Sequence, residues 1–532
     1  MKKTFCFIVI NILALRLPGS LAAEPSIEEK AAQLLIVSAD TADISSAAAA
    51  ARAGLGGVQL QWGSYSLEET LELTEILQAE AAAAGRPPLF IAVDYEGGSV
   101  YVPTTLGLLE LPTNMMLGAA DDENNTATLF YLAGRELKRA GINMAFGPVL
   151  DINTNPKNPI IGIRSLGSNP AKTALLGAAI INGLKAGGVI AVAKHFPGHG
   201  AASEDSHKTL PEILLSTAEL SATHLVPFKK AIELGVPGMM TVHILFPALD
   251  AGNPATLSPA VLDGLLKKEL GYGGLVITDS LDMGAITRRM PIHKAAAASL
   301  RAGADILLIG KGDFKAAVAE IAAQVRGGSI AQARLDDAYA KALAAKRAAG
   351  LLAPQTPHSS FDKAYLAITR ELSAKALTLV RDSNSLLPLP KDKKVAVIVF
   401  APQRFASNAI SLYRELLDAG YNASQYFFEI GVNAAELKKI MRAADGAEVL
   451  VIGSFQWASA QNRTQRQAIR ALLATGKPAA LLSLMNPYDL DGYPEAPCAL
   501  ALYGMTAPSM AAAGRALAGG FVPAGKLPVT LQ

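Results

Sequence analysis

The segment KHFPGHGAASEDSH, residues 194–207, holds three of the chain's seven histidines with a lysine and an acidic pair. Pro197, Gly198 and Gly200 keep it out of regular structure. Two chemistries suit such a segment. The first is metal binding, since His195 and His199 are four residues apart and His207 follows. Histidines at that spacing share a metal on a helix, which the proline and glycines oppose, and HExxH is absent. The second is acid–base work. Asp205 and His207 are separated by one residue, so in an extended segment their side chains point the same way. The carboxylate can then hold one ring nitrogen, fix the tautomer and raise the basicity of the other. A solvated polar loop is the plain alternative, and D-x-H alone does not decide against it.

A second acid changes the balance. VITDSLDMGA places Asp279 at the end of an apolar run, where a carboxylate partly shielded from water can act as a nucleophile. Its competing reading is a helix cap.

These groups need a frame. Between residues 27 and 350 short apolar, β-branched runs alternate with longer helix-period segments. The expected strands are 34–37, 56–60, 89–94, 142–151, 189–195, 238–244, 274–279 and 305–310. The expected helices include 66–84, 122–140, 170–186, 216–234 and 258–270. Eight such alternations predict a (β/α)8 barrel of the TIM type, within a domain spanning 24–350. Asp94, Asp151, Lys194, His195, His243 and Asp279 all fall at the C-terminal ends of these strands. In a parallel barrel those ends share one face, where the loops build a site. A doubly wound sheet would place ligands similarly.

The stretch GLLAPQTPHSS reads as a linker, placed at 351–360. Strands at 394–400, 448–454, 478–486 and 498–504, with helices at 361–377, 434–443, 463–475 and 507–518, then predict a smaller three-layer α/β/α domain over 361–532. No catalytic constellation is visible in it.

Composition agrees with a large globular protein. The chain has 532 residues, 51% of them hydrophobic, and a formal charge of +2. That length calls for two cores, and the charge balance with no basic stripe argues against nucleic acid as a partner. Residues 1–23 carry two lysines, an apolar run and small residues at Ser20, Ala22 and Ala23, the pattern of a cleaved signal peptide. That predicts export to the periplasm or the medium, with no membrane-spanning segment after cleavage. Cys6 leaves with the signal, so Cys498 stands alone, with neither a disulfide nor a cysteine metal cluster to form. GLGGVQL, 54–60, lacks the full spacing of a nucleotide fingerprint, and no cofactor is implied.

The loop KHFPGHG-x4-DSH resembles glycoside hydrolase family 3, and within it the β-N-acetylglucosaminidases of the NagZ type. DYEGGSV (94–100), GIRSLG (162–167), MMTVHILFPALD (239–250) and ATLSPAVLDGLLKKELGYGGLVITDSLDMGAI (255–286) resemble the family's motifs in order. The likeness covers about residues 27–350. Farther on, LLPLP (386–390), NPYDL (486–490) and GKLPVTL (525–531) resemble, more loosely, the second domain of two-domain members.

The resemblance implies roles. Asp279 would attack the anomeric carbon, and His207, paired with Asp205, would serve as acid and then base, with net retention. Asp94, Arg164, Lys194 and His195 match positions that grip hydroxyls of the terminal sugar. His199 and His243 match family histidines with supporting duties. His224, His293 and His358 have no such context and are expected to be solvent-facing or partly buried. Departures from the family pattern fall at Tyr95, Ser99, Ala201, Ala202 and Ser280. They bear on substrate preference and loop position.

The expected protein is thus an exported, exo-acting retaining β-N-acetylglucosaminidase, without cofactor or metal. It would act on GlcNAc-terminated muropeptides or chitin oligosaccharides. Another family 3 β-glycosidase, a noncatalytic sugar-binding barrel and a metallohydrolase barrel are the alternatives. Oligomeric state stays open.

Overall fold

The computed structural model describes residues 24–39, 44–61, 66–98, 108–351, 362–457 and 462–532. The expected signal segment, Ser99, His358 and the expected linker apart from Leu351 lie outside them.

Eight parallel strands form the first sheet: β1 (Leu35–Ala39), β2 (Gly57–Leu60), β3 (Phe90–Val93), β4 (Met144–Ala145), β5 (Ile190–Phe196), β6 (Gly238–Thr241), β7 (Leu275–Ile277) and β8 (Leu307–Gly310). Each pairs with its neighbour in chain order, and β1 pairs with β8 through Leu35 and Leu307. A bridge between Ile277 and Ile306 brings β7 against β8 and closes the ring. This is the expected barrel. Its strands are buried on both faces, which is why they read as continuous apolar runs rather than alternating ones.

Two elements differ from expectation. The run 142–151 yields a two-residue strand, after which Val149 makes an isolated bridge to Lys194. Pro148 has no N–H to give to a ladder. The single helix expected over 216–234 is two, Thr217–Ala222 and Val226–Glu233. Pro227 is tolerated in the first turn of a helix but not inside one, so the chain breaks before it and starts again. Elsewhere the helices sit close to their predicted places. Leu67–Ala83 opens on a capping box of Ser66 and Glu69, and Pro170–Ala186 opens on an Asn169 cap with proline in its first turn.

The second sheet has six strands: β9 (Thr378–Asp382), β10 (Lys394–Phe400), β11 (Asn422–Phe428), β12 (Val449–Ser454), β13 (Ala479–Ser483) and β14 (Cys498–Ala501), in the order β9-β14-β13-β12-β10-β11. β9 runs antiparallel to β14 and the other pairs are parallel. The edge strands β9 and β11, and a helix at Ala406–Asp418, were not foreseen. Cys498 is buried within β14.

The two hydrophobic cores trade side chains. Met115, Met116 and Ala119, from the helix Asn114–Ala120 that follows β3, belong with Ile163 to the second core. Tyr365 and Leu372, from the helix Asp362–Ala376 that opens the second domain, belong to the first.

Candidate active site

The C-terminal ends of the barrel strands carry the expected polar groups. Asp94 follows β3, Lys194 and His195 lie within β5, and Asp279 follows β7 two residues after Ile277. The Lys194 ammonium is buried, 2.7 Å from Asp94 Oδ1 and 2.6 Å from Glu96 Oε1. Glu96 also takes a two-pronged contact from Arg164, 2.7 Å from Nε and 2.9 Å from Nη2. Gln59 on β2 donates to the second oxygen of Asp94 at 2.8 Å. Arg164 Nη2 lies 3.4 Å from His195 Nε2. His195 Nδ1 donates to Asp151 Oδ2 at 2.6 Å, since a carboxylate only accepts. Asp151 Oδ1 accepts the His199 amide at 2.6 Å. One chain of polar contacts therefore joins Asp94, Lys194, Glu96, Arg164, His195 and Asp151.

Opposite charges face one another inside this chain. Burial would push the Glu96 carboxyl up, but Arg164 and Lys194 hold it at about 2. Burial opposes the Lys194 charge, yet Asp94 and Glu96 keep its pKa above the usual lysine value. Asp151 stays low against its burial because of His195 and His199. Asp94 is half-buried, so the row presents an accepting oxygen and a rigid set of donors at the barrel mouth.

Asp279 is half-buried too, and its Oδ1 accepts the Ser280 amide at 2.7 Å. Burial raises its pKa, but His243, His195, the Ser280 amide and His207 together bring it below the usual aspartate value. It is therefore a carboxylate at neutral pH. His243 is a brace: Nε2 donates to the Ser280 carbonyl at 2.9 Å, which leaves Nδ1 to accept from Thr256 Oγ1 at 2.8 Å. Burial, above all, holds its pKa below the usual histidine value, and that matches this one-donor, one-acceptor role.

The D-x-H pair forms as expected. Asp205 Oδ1 lies 2.9 Å from His207 Nδ1 and accepts the His207 amide at 2.9 Å. Nε2 is then the ring atom able to give or take a proton. The His207 side chain is 48% exposed, against 18% for Asp205, so it can meet a substrate. Two main-chain bonds fasten this loop to the segment after Asp279: Gly284 N to His207 O at 3.0 Å and Ala285 N to Ser206 O at 3.2 Å. A third contact joins Ser206 Oγ to His199 Nε2 at 3.2 Å. His199 is buried, which pushes its pKa down to about 4. Asp279 and His207 thus sit on neighbouring segments at one end of the barrel, and His207 is among the groups that lower the Asp279 pKa.

His195 and His199 do not converge. Their ring centroids are 6.1 Å apart and their nitrogens face different partners. Among the described residues no group of three His, Cys, Asp or Glu side chains is placed to hold a metal ion.

Several sequence expectations shift. Tyr95 is buried and donates to the Leu109 carbonyl at 2.5 Å. Ala202 is buried as well. Ser280 Oγ donates to Asp282 Oδ1 at 2.7 Å. His224 is fully buried, rather than solvent-facing or partly buried, with Nε2 3.4 Å from Thr154 Oγ1. Glu96, Gln59 and Asp151 were not named as site residues. Glu96 and Asp151 had a visible signal, one inside DYEGGSV and the other at a strand end.

The family comparison agrees with this architecture. The glycosyl hydrolase family 3 N-terminal domain matches residues 26–345. A β-hexosaminidase A of Pseudoalteromonas piscicida is 29% identical, over 87% of this chain and 87% of its own. A β-N-acetylglucosaminidase/β-glucosidase of Cellulomonas fimi is 30% identical over 70% of this chain and 69% of its own. Among solved structures, a family 3 β-N-acetylglucosaminidase from Paenibacillus sp. str. FPU-7 superposes with a TM-score of 0.88. It has 31% identity and covers 96% of this chain and 99% of that one. The chain belongs to glycosyl hydrolase family 3 and is a glycoside hydrolase.

Proposed function

We propose that this hydrolase is an exported, exo-acting β-N-acetylglucosaminidase that removes terminal GlcNAc with retention. The observation that carries the reading is the Asp205–His207 pair, fastened by the Gly284 and Ala285 amides to the segment that follows Asp279. Export rests on the signal-like residues 1–23, and the sugar on the relatives' activities.

The chemistry follows from the charges. Asp279 attacks the anomeric carbon as a carboxylate, and the bond to the leaving oxygen breaks as His207 Nε2 delivers its proton. A glycosyl ester on Asp279 results. His207, now lacking that proton, takes one from water, whose oxygen attacks the same carbon and frees Asp279. Two displacements at one carbon restore its configuration. The usual retaining scheme uses two carboxyl groups. An imidazole in the second role adds no negative charge beside Asp279 or near an acidic muramyl substrate. Asp205 holds the tautomer and stabilises the imidazolium whenever it forms. Asp94, Lys194, Arg164 and His195 would grip the sugar hydroxyls, with Glu96 and Asp151 fixing the last three of these. Muropeptides and chitin oligosaccharides both supply the terminal GlcNAc this reading requires.

The Cellulomonas fimi relative's second activity makes a β-glucoside the other substrate to test. A panel of aryl β-glycosides decides. Cleavage of the N-acetylglucosaminide in preference to the glucoside is expected. Preference for the glucoside would overturn the sugar assignment, and binding of N-acetylglucosamine without turnover of any glycoside would overturn the catalytic one.

A further inference from the structure

We propose that the C-terminal domain holds the arginine-bearing loop of the barrel in its working position, through the main chain of Pro528 and the hydroxyl of Tyr488. It thereby sets affinity for the sugar. The inference rests on reading Arg164 as a sugar-gripping group.

Arg164 ends a single turn, Gly162–Arg164, in the long connection after β4. Its side chain is fixed by Glu96, and the turn itself packs on the helix Asn114–Ala120. Three supports tie this connection to the second domain. First, the Arg164 carbonyl accepts from Asn114 Nδ2 at 2.8 Å. Asn114 opens the helix Asn114–Ala120, whose cap Thr113 donates to the Tyr503 carbonyl of the second domain at 2.5 Å. Met115 and Met116 on that helix are buried in the second core.

Second, Ser168, four residues past Arg164, donates its amide to the Pro528 carbonyl at 2.9 Å and its hydroxyl to the same oxygen at 3.3 Å. The backbones are in direct contact. A Cβ on Gly167 would lie 2.5 Å from Pro528 O, and φ there is +143°. A Cβ on Gly118 would lie 1.8 Å from the Leu166 carbonyl and 3.3 Å from Pro528 Cβ. Glycine is what lets these three segments close on one another.

Third, buried Tyr488 accepts at its hydroxyl from Asn153 Nδ2 at 3.1 Å. The Asn153 amide donates to the Gly167 carbonyl at 3.0 Å. Ser165 Oγ, beside Arg164, bridges the Asp151 carbonyl at 2.6 Å and the Gly167 carbonyl at 2.9 Å. The tail and Tyr488 therefore support both Arg164 and the segment of Asp151, which orients His195.

A guanidinium that grips a hydroxyl does so in the ground state and the transition state alike. Loosening its loop should raise KM and leave kcat nearly unchanged. Plain destabilisation would lower the active fraction, and with it apparent kcat, at constant KM. Tyr488 and Pro528 are positioning residues in this scheme.

The test compares the full chain with a chain ending at Gly525 and with full-length Tyr488→Phe. KM and kcat on an aryl N-acetylglucosaminide, thermal midpoint and hydrogen exchange are measured on each. We expect KM to rise about ten-fold in the shortened chain and about three-fold in Tyr488→Phe, with kcat within about two-fold. Amides of residues 158–168 should exchange faster in both, with those of β6 unchanged. Unchanged KM and unchanged exchange in folded variants would overturn the proposal, as would kcat falling with the thermal midpoint at constant KM. If the shortened chain does not fold, Tyr488→Phe decides by the same readouts. If the parent cleaves no glycoside, the functional reading fails, while exchange across 158–168 still decides whether the second domain holds the loop.

Discussion

The main-chain carbonyl of His207 accepts a hydrogen bond from the Gly284 amide at 3.0 Å. Gly284 lies five residues beyond Asp279, at the start of a short helix. This bond sets the loop that bears the imidazole against the segment that bears the carboxylate. A side chain at 284 would not fit, because a Cβ there would lie 2.6 Å from His207 O and 2.8 Å from Lys208 O.

Gly284→Ala should therefore lift the loop. The clash falls on main-chain atoms that cannot swing aside, so the fold should also lose about 1–3 kcal/mol and the thermal midpoint should fall modestly. Turnover should fall about ten-fold or more, since small displacements of a reacting group are costly. Steady-state kinetics beside a melting curve checks this. Unchanged turnover would show that the docked loop is not the active arrangement.

His207→Ala should lose about 10²- to 10⁴-fold in kcat on glycosides with poor leaving groups. The loss should be far smaller on activated phenols, which depart without a proton. A leaving-group series measures the difference. Equal losses across the series would remove His207 from the acid role.

Glu96→Gln tests the buried charge network. Removing this anion leaves Lys194 with Asp94 as its one ion-pair partner among the described residues and takes from Arg164 the carboxylate it grips with two nitrogens, which should destabilise the fold by about 3 kcal/mol. The sign in pH follows from the carboxyl's folded pKa of about 2, below its ordinary value. Its contribution is complete above the ordinary carboxylate range and is lost as pH falls toward 2. Melting curves from pH 6 to pH 3 should thus fall more steeply in the parent than in the variant. Parallel curves would contradict the assignment.

How far the sequence discloses these arrangements depends on where each signal lies. Barrel strands buried on both faces announce themselves as apolar runs, and the polar groups at their ends mark the mouth. The edge strands β9 and β11 carry Arg381, Asp382, Asn422, Ser424 and Gln425, because an edge needs no second buried face, so their runs look like loops. The broken helix at Pro227 was written in the proline itself. The D-x-H pair is local and forms as drawn. Glu96 is different: its meaning comes from Arg164 and Lys194, 68 residues and 98 residues away in the chain. The support of the arginine loop by Pro528 joins residues 360 apart, and no local pattern encodes it.

Lys346 offers a prediction away from the site. It is fully buried under the barrel, donating to Gln33 Oε1 at 2.8 Å with its ammonium 4.8 Å from the Phe90 ring centroid. Burial pushes its pKa down to about 7. The unfolded chain then holds more protons than the folded one between pH 7 and the ordinary lysine value. Stability should rise with pH across that window, by up to about 4–5 kcal/mol. Lys346→Met should raise the thermal midpoint at pH 7 and flatten this slope. A variant less stable at pH 7, with the slope retained, would contradict it.

The central claim is that Asp279 forms a bond to the sugar. A 5-fluoro N-acetylglucosaminide, which keeps the 2-acetamido group, slows both steps, and an activated leaving group lets the first outrun the second, so the glycosyl-enzyme accumulates. Incubation followed by peptide mapping by mass spectrometry should find one fluoro-sugar, carried on the peptide containing Asp279 and absent from Asp279→Asn. A label on another residue, or turnover of the natural sugar by Asp279→Asn at the parent's rate, would contradict the account.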